Sequence, residues 1–256
     1  MSTKDENRRQ FGANAANYAT SAVHAKGHSL TRLVELIDFD ANWHCLDVAT
    51  AAGHTAFAIA PRVASVVASD LTPQMVELAA SRAQELGHEN VTFEVADAED
   101  LPFDDATFDL VTCRIAPHHF PAPDQFVREV GRVLTAGGRF CLIDNIVPDD
   151  PAVAASYNAW EKLRDPGHVE ALSLGAWVRL CETEGLHIQH TETLGKQMNF
   201  RAWLDNMSVP KDLRTTLLGQ LVDAEPDLRA FLRPTGDTVN TAAFVLTEGI
   251  VLARKL

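Results

Sequence analysis

Residues 44–61, HCLDVATAAGHTAFAIAP, decide how the chain is read. Cys45, Leu46 and Val48 mark a short buried strand running into Asp47-Val48-Ala49. Small residues follow, Ala49-Thr50-Ala51-Ala52-Gly53. From Thr55, the apolar Phe57, Ile59 and Ala60 begin a helix that stops near Pro61. A strand feeding a helix through small residues lets a ligand approach the backbone and aims free helix N–H groups at it. Asp47 adds a fixed acceptor at the strand end.

Working outward, the same unit repeats. Ser65–Ser69 reads as a strand ending at Asp70; Thr72 and Pro73 then open a helix that Gly87 stops. Val91–Val95 ends at Ala96-Asp97-Ala98. Phe108–Cys113 ends at Arg114, with His118 and His119 just beyond. After a helix at about 124–134, Gly137-Gly138 turns the chain into strand Arg139–Asp144. Strands alternating with helices through the first 145 residues predict an α/β fold with a doubly wound, mostly parallel sheet.

The flanks read differently. Residues 1–20 form an arm with Phe11, Ala15 and Tyr18 on one helical face, and 29–38 form a helix that Ser29 caps. Beyond 145 come helices at 152–164 and 173–184, a strand at Leu186–Thr193, a helical stretch at 200–232 and a closing apolar strand. The expected division is a helical arm or lid at 1–42, a cofactor-binding domain from 43–197 plus 240–256, and a helical acceptor-covering insertion at 198–239.

Acids outnumber Lys and Arg by 35 to 22, a formal charge of −13 that argues against a nucleic-acid groove or an anionic membrane surface. The polar start, MSTKDENRRQFG, has no apolar signal region, and no run approaches the ~20 apolar residues of a membrane span. A cytoplasmic protein is expected. The four cysteines form no CxxC pair and the ten histidines no HxH or HExxH pattern, so no metal site is expected.

Ligands of doubly wound sheets lie across the carboxyl ends of the strands. Asp47, Asp70, Asp97 and Asp144 stand there. No G-x-G-x-x-G follows the first strand, and an acid before the turn repels a pyrophosphate but suits an ammonium or sulfonium group. Asp70, 23 residues on, can hold both hydroxyls of a ribose. Leu71 and Met75 offer a slot for a purine, and Asp97 and Ala98 can take its edge. A cationic amino-acid end, a ribose and an adenine in a row describe S-adenosyl-L-methionine. His119 is the first choice, then His118, for a base or acceptor contact; Asp144 and His168 are candidates to line an acceptor pocket.

LDVATAAGHTA (46–56), VVASDLTPQMVELA (66–79), ADAEDLPFDDATFDLVTCRIAPHHF (96–120) and REVGRVLTAGGRFCLIDN (128–145) resemble the class I S-adenosylmethionine-dependent methyltransferases, above all the ubiquinone/menaquinone biosynthesis C-methyltransferases. EKLRDPGHV (161–169) and EGIVLARK (248–255) extend the resemblance over nearly the whole chain. It implies a seven-stranded Rossmann-like sheet in the order 3-2-1-4-5-7-6 with the last strand antiparallel. It also implies that Tyr18, His24 and His28 close over the cofactor, and that Ala49, Gly53, His54 and Arg114 join the acids around it. The family commonly has Asp/Glu-x-Gly-x-Gly-x-Gly in its first motif, where this chain has Asp47, Ala49, Ala51 and Gly53. If that turn needs φ > 0, alanine costs ~1 kcal/mol or more.

The expected activity is therefore methyl transfer from S-adenosyl-L-methionine to a small, apolar or aromatic acceptor at C, O or N, leaving S-adenosyl-L-homocysteine. Two alternatives stand beside it: a protein of this fold that binds the cofactor or another ligand but is catalytically altered, and a nicotinamide oxidoreductase. Neither acceptor nor oligomeric state follows from the sequence.

Overall fold

The computed structural model describes residues 3–20 and 27–256, with the backbone alone at 13–20. The strands are β1 (His44–Val48), β2 (Ser65–Asp70), β3 (Val91–Val95), β4 (Phe108–Arg114), β5 (Leu134–Asn145), β6 (Leu186–Asn199) and β7 (Ala243–Lys255). They form one seven-stranded sheet in the order β3-β2-β1-β4-β5-β7-β6. β1 to β5 pair in parallel, while β7 runs antiparallel to both β5 and β6. The helices are α1 (Thr3–Thr20), α2 (His28–Leu36), α3 (His54–Ile59), α4 (Pro73–Leu86), α5 (Pro123–Val133), α6 (Pro151–Arg164), α7 (Leu174–Thr183), α8 (Phe200–Asp205), α9 (Lys211–Val222) and α10 (Pro226–Leu232).

Both faces of the sheet are covered, which is why its central strands are continuous apolar runs. One core gathers Leu46, Val111, Phe140 and Val251 with the α5 stripe Phe126, Val127, Val130 and Val133. The other gathers Cys45, Val66, Leu110 and Ile143 with α2 and α3. A third cluster lies beneath α8 to α10, where Trp160 stacks on Trp203 at 4.5 Å and Phe244 meets both edge-on. All four cysteines are buried, and burial raises every thiol: Cys45, Cys141 and Cys181 to about 12, Cys113 well above its ordinary value. They pack as small hydrophobes.

Three sequence expectations shift. Ser29 does not cap α2; the helix starts at His28 after Gly27, and the Ser29 hydroxyl is buried in the first turn with no partner among the described residues. β5 begins at Leu134, and Thr135–Gly138 bulge out between the Phe108–Leu134 and Leu110–Arg139 pairs. Gly137 stands at φ +83° in that bulge. β6 continues six residues past Thr193, because its alternating, half-exposed side chains are held by the β7 ladder rather than by burial of their own.

Candidate active site

Parallel pairing with β4 and β2 on either side carries the carboxyl end of β1 to the middle of the sheet edge. There Asp47 is 1 % exposed, and its carboxylate is engaged from within. Oδ2 accepts from the Thr50 hydroxyl at 2.6 Å and the Ala56 N–H at 3.2 Å; Oδ1 accepts from the Thr112 hydroxyl at 2.7 Å. Three of roughly four lone-pair directions are thus filled. Burial pushes its carboxyl up to about 6, against those hydroxyls and the charge of Arg114. Asp47 therefore ties the turn to α3 and leaves one direction for a ligand.

The turn itself adopts the left-handed conformation at both alanines, φ +53° at Ala49 and +47° at Ala51, and again at Gly53, φ +84°. Each alanine there costs about 1–2 kcal/mol relative to its right-handed state. The Asp70 carboxylate offsets part of this by accepting from the Ala51 N–H at 2.9 Å. Gly53 cannot be replaced as cheaply, because a Cβ would lie 2.3 Å from the Phe57 ring. The chain keeps the shape of a glycine turn without two of its glycines.

Asp70 also accepts from the Thr72 N–H at 2.9 Å, through its other oxygen. Burial raises its pKa despite these two N–H donors and the Thr72 side chain. The Thr72 side chain is a third donor, so roughly one of the four lone-pair directions of Asp70 remains for a ligand hydroxyl. Asp97 accepts from the Glu99 N–H at 3.0 Å and from Lys4 at 2.6 Å; Lys4 also meets Glu99.

Along the sheet order these residues line a cavity that starts at Asp97 and Ala98, passes Leu71, Met75, Asp70 and the turn, and continues by Arg114, His118 and His119 to Lys196, Met198 and Trp203. Asp47, Ala49 and His54 also line it. Gly53 and His28 do not: Gly53 shapes the turn and His28 opens α2. The Tyr18 side chain and His24 lie outside the described residues. Arg114 is half-buried, donates to the Thr55 hydroxyl at 3.1 Å, and has its pKa lowered by burial against the pull of Glu248 and Asp47.

The histidines separate by role. His118 and His119 both line the cavity, with ring centroids 4.2 Å apart. Asp144 and His168 stand behind it instead, and Asp144 meets His118 Nδ1 at 2.6 Å. His119 Nδ1 faces the Gly167 carbonyl at 3.0 Å and its Nε2 lies 4.0 Å from Asp165. Burial and the neighbouring His118 lower His119 to about 4; burial lowers His168 to about 2.

The N-terminal arm contributes residues not read from the sequence. Lys4, Asn7 and Phe11 line the cavity from α1. Asn7 donates to the His119 carbonyl at 3.2 Å, Gln10 to Asp165 at 2.7 Å, and Phe11 meets the His119 ring edge-on. Carried one turn back, the Phe11-Ala15-Tyr18 stripe reaches Asn7 and Lys4. Arg164, Asp165 and Asn145 join the lining too. Among the described residues no group of acids, histidines or cysteines could hold a metal ion, and no helix is long and apolar enough to cross a membrane.

Residues 39–184 match the family model described as methyltransferase domain. The chain is 37 % identical over 223 residues to the uncharacterized methyltransferase YcgJ of Bacillus subtilis (strain 168), covering 87 % of this chain and 88 % of YcgJ. The crystal structure of YcgJ superposes with a TM-score of 0.86 at 35 % identity, over 89 % of this chain and 98 % of that one. A ubiquinone/menaquinone biosynthesis C-methyltransferase UbiE, from Geobacter sp. (strain M21), is 33 % identical over 129 residues, 49 % of this chain and 55 % of its own. The geranyl diphosphate C-methyltransferase of Streptomyces coelicolor A3(2), solved with S-adenosyl-L-homocysteine, shares the fold at TM-score 0.61 and 14 % identity, over 89 % of this chain and 78 % of that one. The chain belongs to the methyltransferase-domain family.

Proposed function

We propose that the protein transfers a methyl group from S-adenosyl-L-methionine to a small-molecule acceptor. The observation that carries this is the row of partly unsatisfied acceptors along one cavity: Asp47 in the turn, Asp70 with a spare lone pair, Asp97 beyond it. In this reading Asp70 holds the ribose hydroxyls, Leu71 and Met75 flank the adenine, and Asp97 and Ala98 meet its edge. The remaining lone pair of Asp47 faces the ammonium, and Arg114 matches the carboxylate of the methionine part. Ala49, Gly53 and His54 shape or border that end. His28 and Tyr18 belong to the proposed closing arm, alongside α1.

When bound, the cofactor supplies a methyl carbon activated by its sulfonium. The protein's task is to align the acceptor with it and exclude water. Met198, Trp203, Met207 and Leu246 line the acceptor end and suit an apolar or aromatic molecule. Residues 198–239 act as the cover of that end, 1–42 as the arm, and the rest as the cofactor-binding domain; the protein works in the cytoplasm. UbiE's name places its chemistry in quinone biosynthesis, and its match spans 49 % of this chain, so the acceptor is argued from the cavity and not from that name.

Calorimetry with S-adenosyl-L-methionine, S-adenosyl-L-homocysteine and NADH tests the reading. Binding of the first two in the micromolar range supports it. Binding of NADH alone would favour a nicotinamide oxidoreductase, and cofactor binding without methyl transfer to any acceptor the altered-enzyme alternative.

A further inference from the structure

Asp144 lies on β5, 1 % exposed, with both carboxylate oxygens directed at one residue. Oδ2 accepts from the His118 backbone N–H at 2.8 Å, and Oδ1 meets His118 Nδ1 at 2.6 Å. A carboxylate can only accept, so Nδ1 carries the hydrogen and the imidazole is fixed both in place and in rotation. Nε2 is then the nitrogen left over, and among the described residues no hydrogen-bond partner meets it. His118 lines the cavity where the cofactor end passes into the acceptor end.

The two neighbouring imidazoles differ. His119 turns Nδ1 to the Gly167 carbonyl and Nε2 toward Asp165. His168 meets the Asn158 side-chain oxygen through Nε2 at 2.7 Å and does not reach the cavity. The groups facing His118 are Asp144 from β5, Glu161 and Arg164 from α6, Asp165 and His168 from the segment after it, and His119 beside it. Burial opposes a charge on His118, but Asp144, Asp165 and Glu161 outweigh it and raise its pKa, so its neutral form is a stronger base than free imidazole.

We propose that His118, positioned by Asp144, is the general base of the transfer, and that the acceptor atom is therefore one that surrenders a proton: a hydroxyl oxygen or an activated carbon acid, not a tertiary amine or thioether. This rests on the methyltransferase reading above. The acceptor's X–H bond breaks toward Nε2 and its electron pair forms the bond to the methyl carbon. The carbon–sulfur bond breaks with its pair left on sulfur, so the sulfonium becomes a neutral thioether. The positive charge ends on the imidazolium, against Asp144. His118 is the catalytic residue and Asp144 a positioning residue.

The test uses the full chain, labelled S-adenosyl-L-methionine and four probes. Phenol and 1,3-cyclohexanedione carry the required proton; N,N-dimethylaniline and thioanisole do not. Label is expected only on the first pair, with kcat/KM rising with pH as His118 loses its proton. His118→Gln should lower kcat by about 100-fold or more while KM and calorimetric affinity for S-adenosyl-L-homocysteine stay within about threefold. Asp144→Asn should lower kcat and move the acid limb to lower pH, because it removes the carboxylate that raises His118. Label on the proton-free pair, label on none of the four, or a His118→Gln kcat within about threefold of the parent would overturn the proposal. Failure of the parent to bind S-adenosyl-L-homocysteine would sink the methyltransferase reading itself. Should His118→Gln not fold, nitrogen NMR of histidine-labelled parent decides: the Nδ1–H tautomer at His118 supports the proposal, the Nε2–H tautomer overturns it.

Discussion

The two ends of the cavity are built by different means. At the proposed cofactor end, each candidate group sits within a few residues of a strand terminus, and Asp47 and Asp70 each take one partner from the next few residues, beside distant ones such as Thr112 and Ala51. Asp47 pairs with Thr50, and Asp70 with Thr72. At the proposed acceptor end the partners come from far away: Asp144 and His118 are 26 residues apart, Asn7 and His119 112, Gln10 and Asp165 155. A strand-end motif takes part of its working geometry from local contacts. A buried histidine cluster acquires its protonation states only from the whole assembly, since desolvation and neighbouring charge decide them.

That contrast can be broken most forcefully at Asp70. Asp70→Ala removes the charged acceptor proposed for the ribose and should weaken S-adenosyl-L-methionine by about 100-fold or more in calorimetry, with acceptor-end variants leaving that affinity alone. An equal loss from an acceptor-end change would mean that the two ends are not separable. Next in size is Gly53→Ala. Its Cβ would meet the Phe57 ring at 2.3 Å at a position held at φ +84°, so urea unfolding should report a loss of about 2–4 kcal/mol. A fully stable variant would show that the turn is not locally determined.

The acceptor end is probed by pH. His168 titrates near 2 in the folded protein, well below its unfolded value, because burial penalises the imidazolium. The unfolded chain then binds more protons in acid. This contribution is intact above pH ~6.5 and is lost as the pH falls, at about 1.4 kcal/mol per pH unit. His119, near 4, adds in the same direction down to that value, whereas the raised His118 acts oppositely. Urea unfolding from neutral to mildly acid pH should show His168→Gln flattening the slope by about one proton; an unchanged slope would remove the buried neutral histidine from the account. The smallest effect is expected at Ala51→Gly. Relief of the left-handed alanine should raise stability by about 1 kcal/mol or slightly less, the gain reduced by the extra entropy of unfolded glycine.

Legibility from sequence followed the same divide. Asp70 and Asp97 were readable as strand-end acids, and both line the cavity. Asp47 was readable as well, although its carboxylate is largely engaged by Thr50, Thr112 and Ala56. Asp144 and His168 were placed in the pocket lining but stand one layer behind it, because position at a strand end does not say which face of the edge a side chain takes. Lys4, Asn7 and Gln10 escape the sequence reading, since the first two turns of the arm are polar and the Phe11-Ala15-Tyr18 stripe marks its face only further along.

The sequence by itself determined the alternation of strands and helices, the small-residue turn after Asp47 and the acids at strand ends, because each depends on side-chain periodicity and local backbone chemistry. The antiparallel β6–β7 edge was implied by the family resemblance and not by the residue pattern, and the left-handed state of Ala49 and Ala51 and the division of labour among His118, His119 and His168 were decided by tertiary structure. Strand pairing, close backbone approach and burial of charge all depend on neighbours brought from elsewhere in the chain, so a linear pattern cannot carry them.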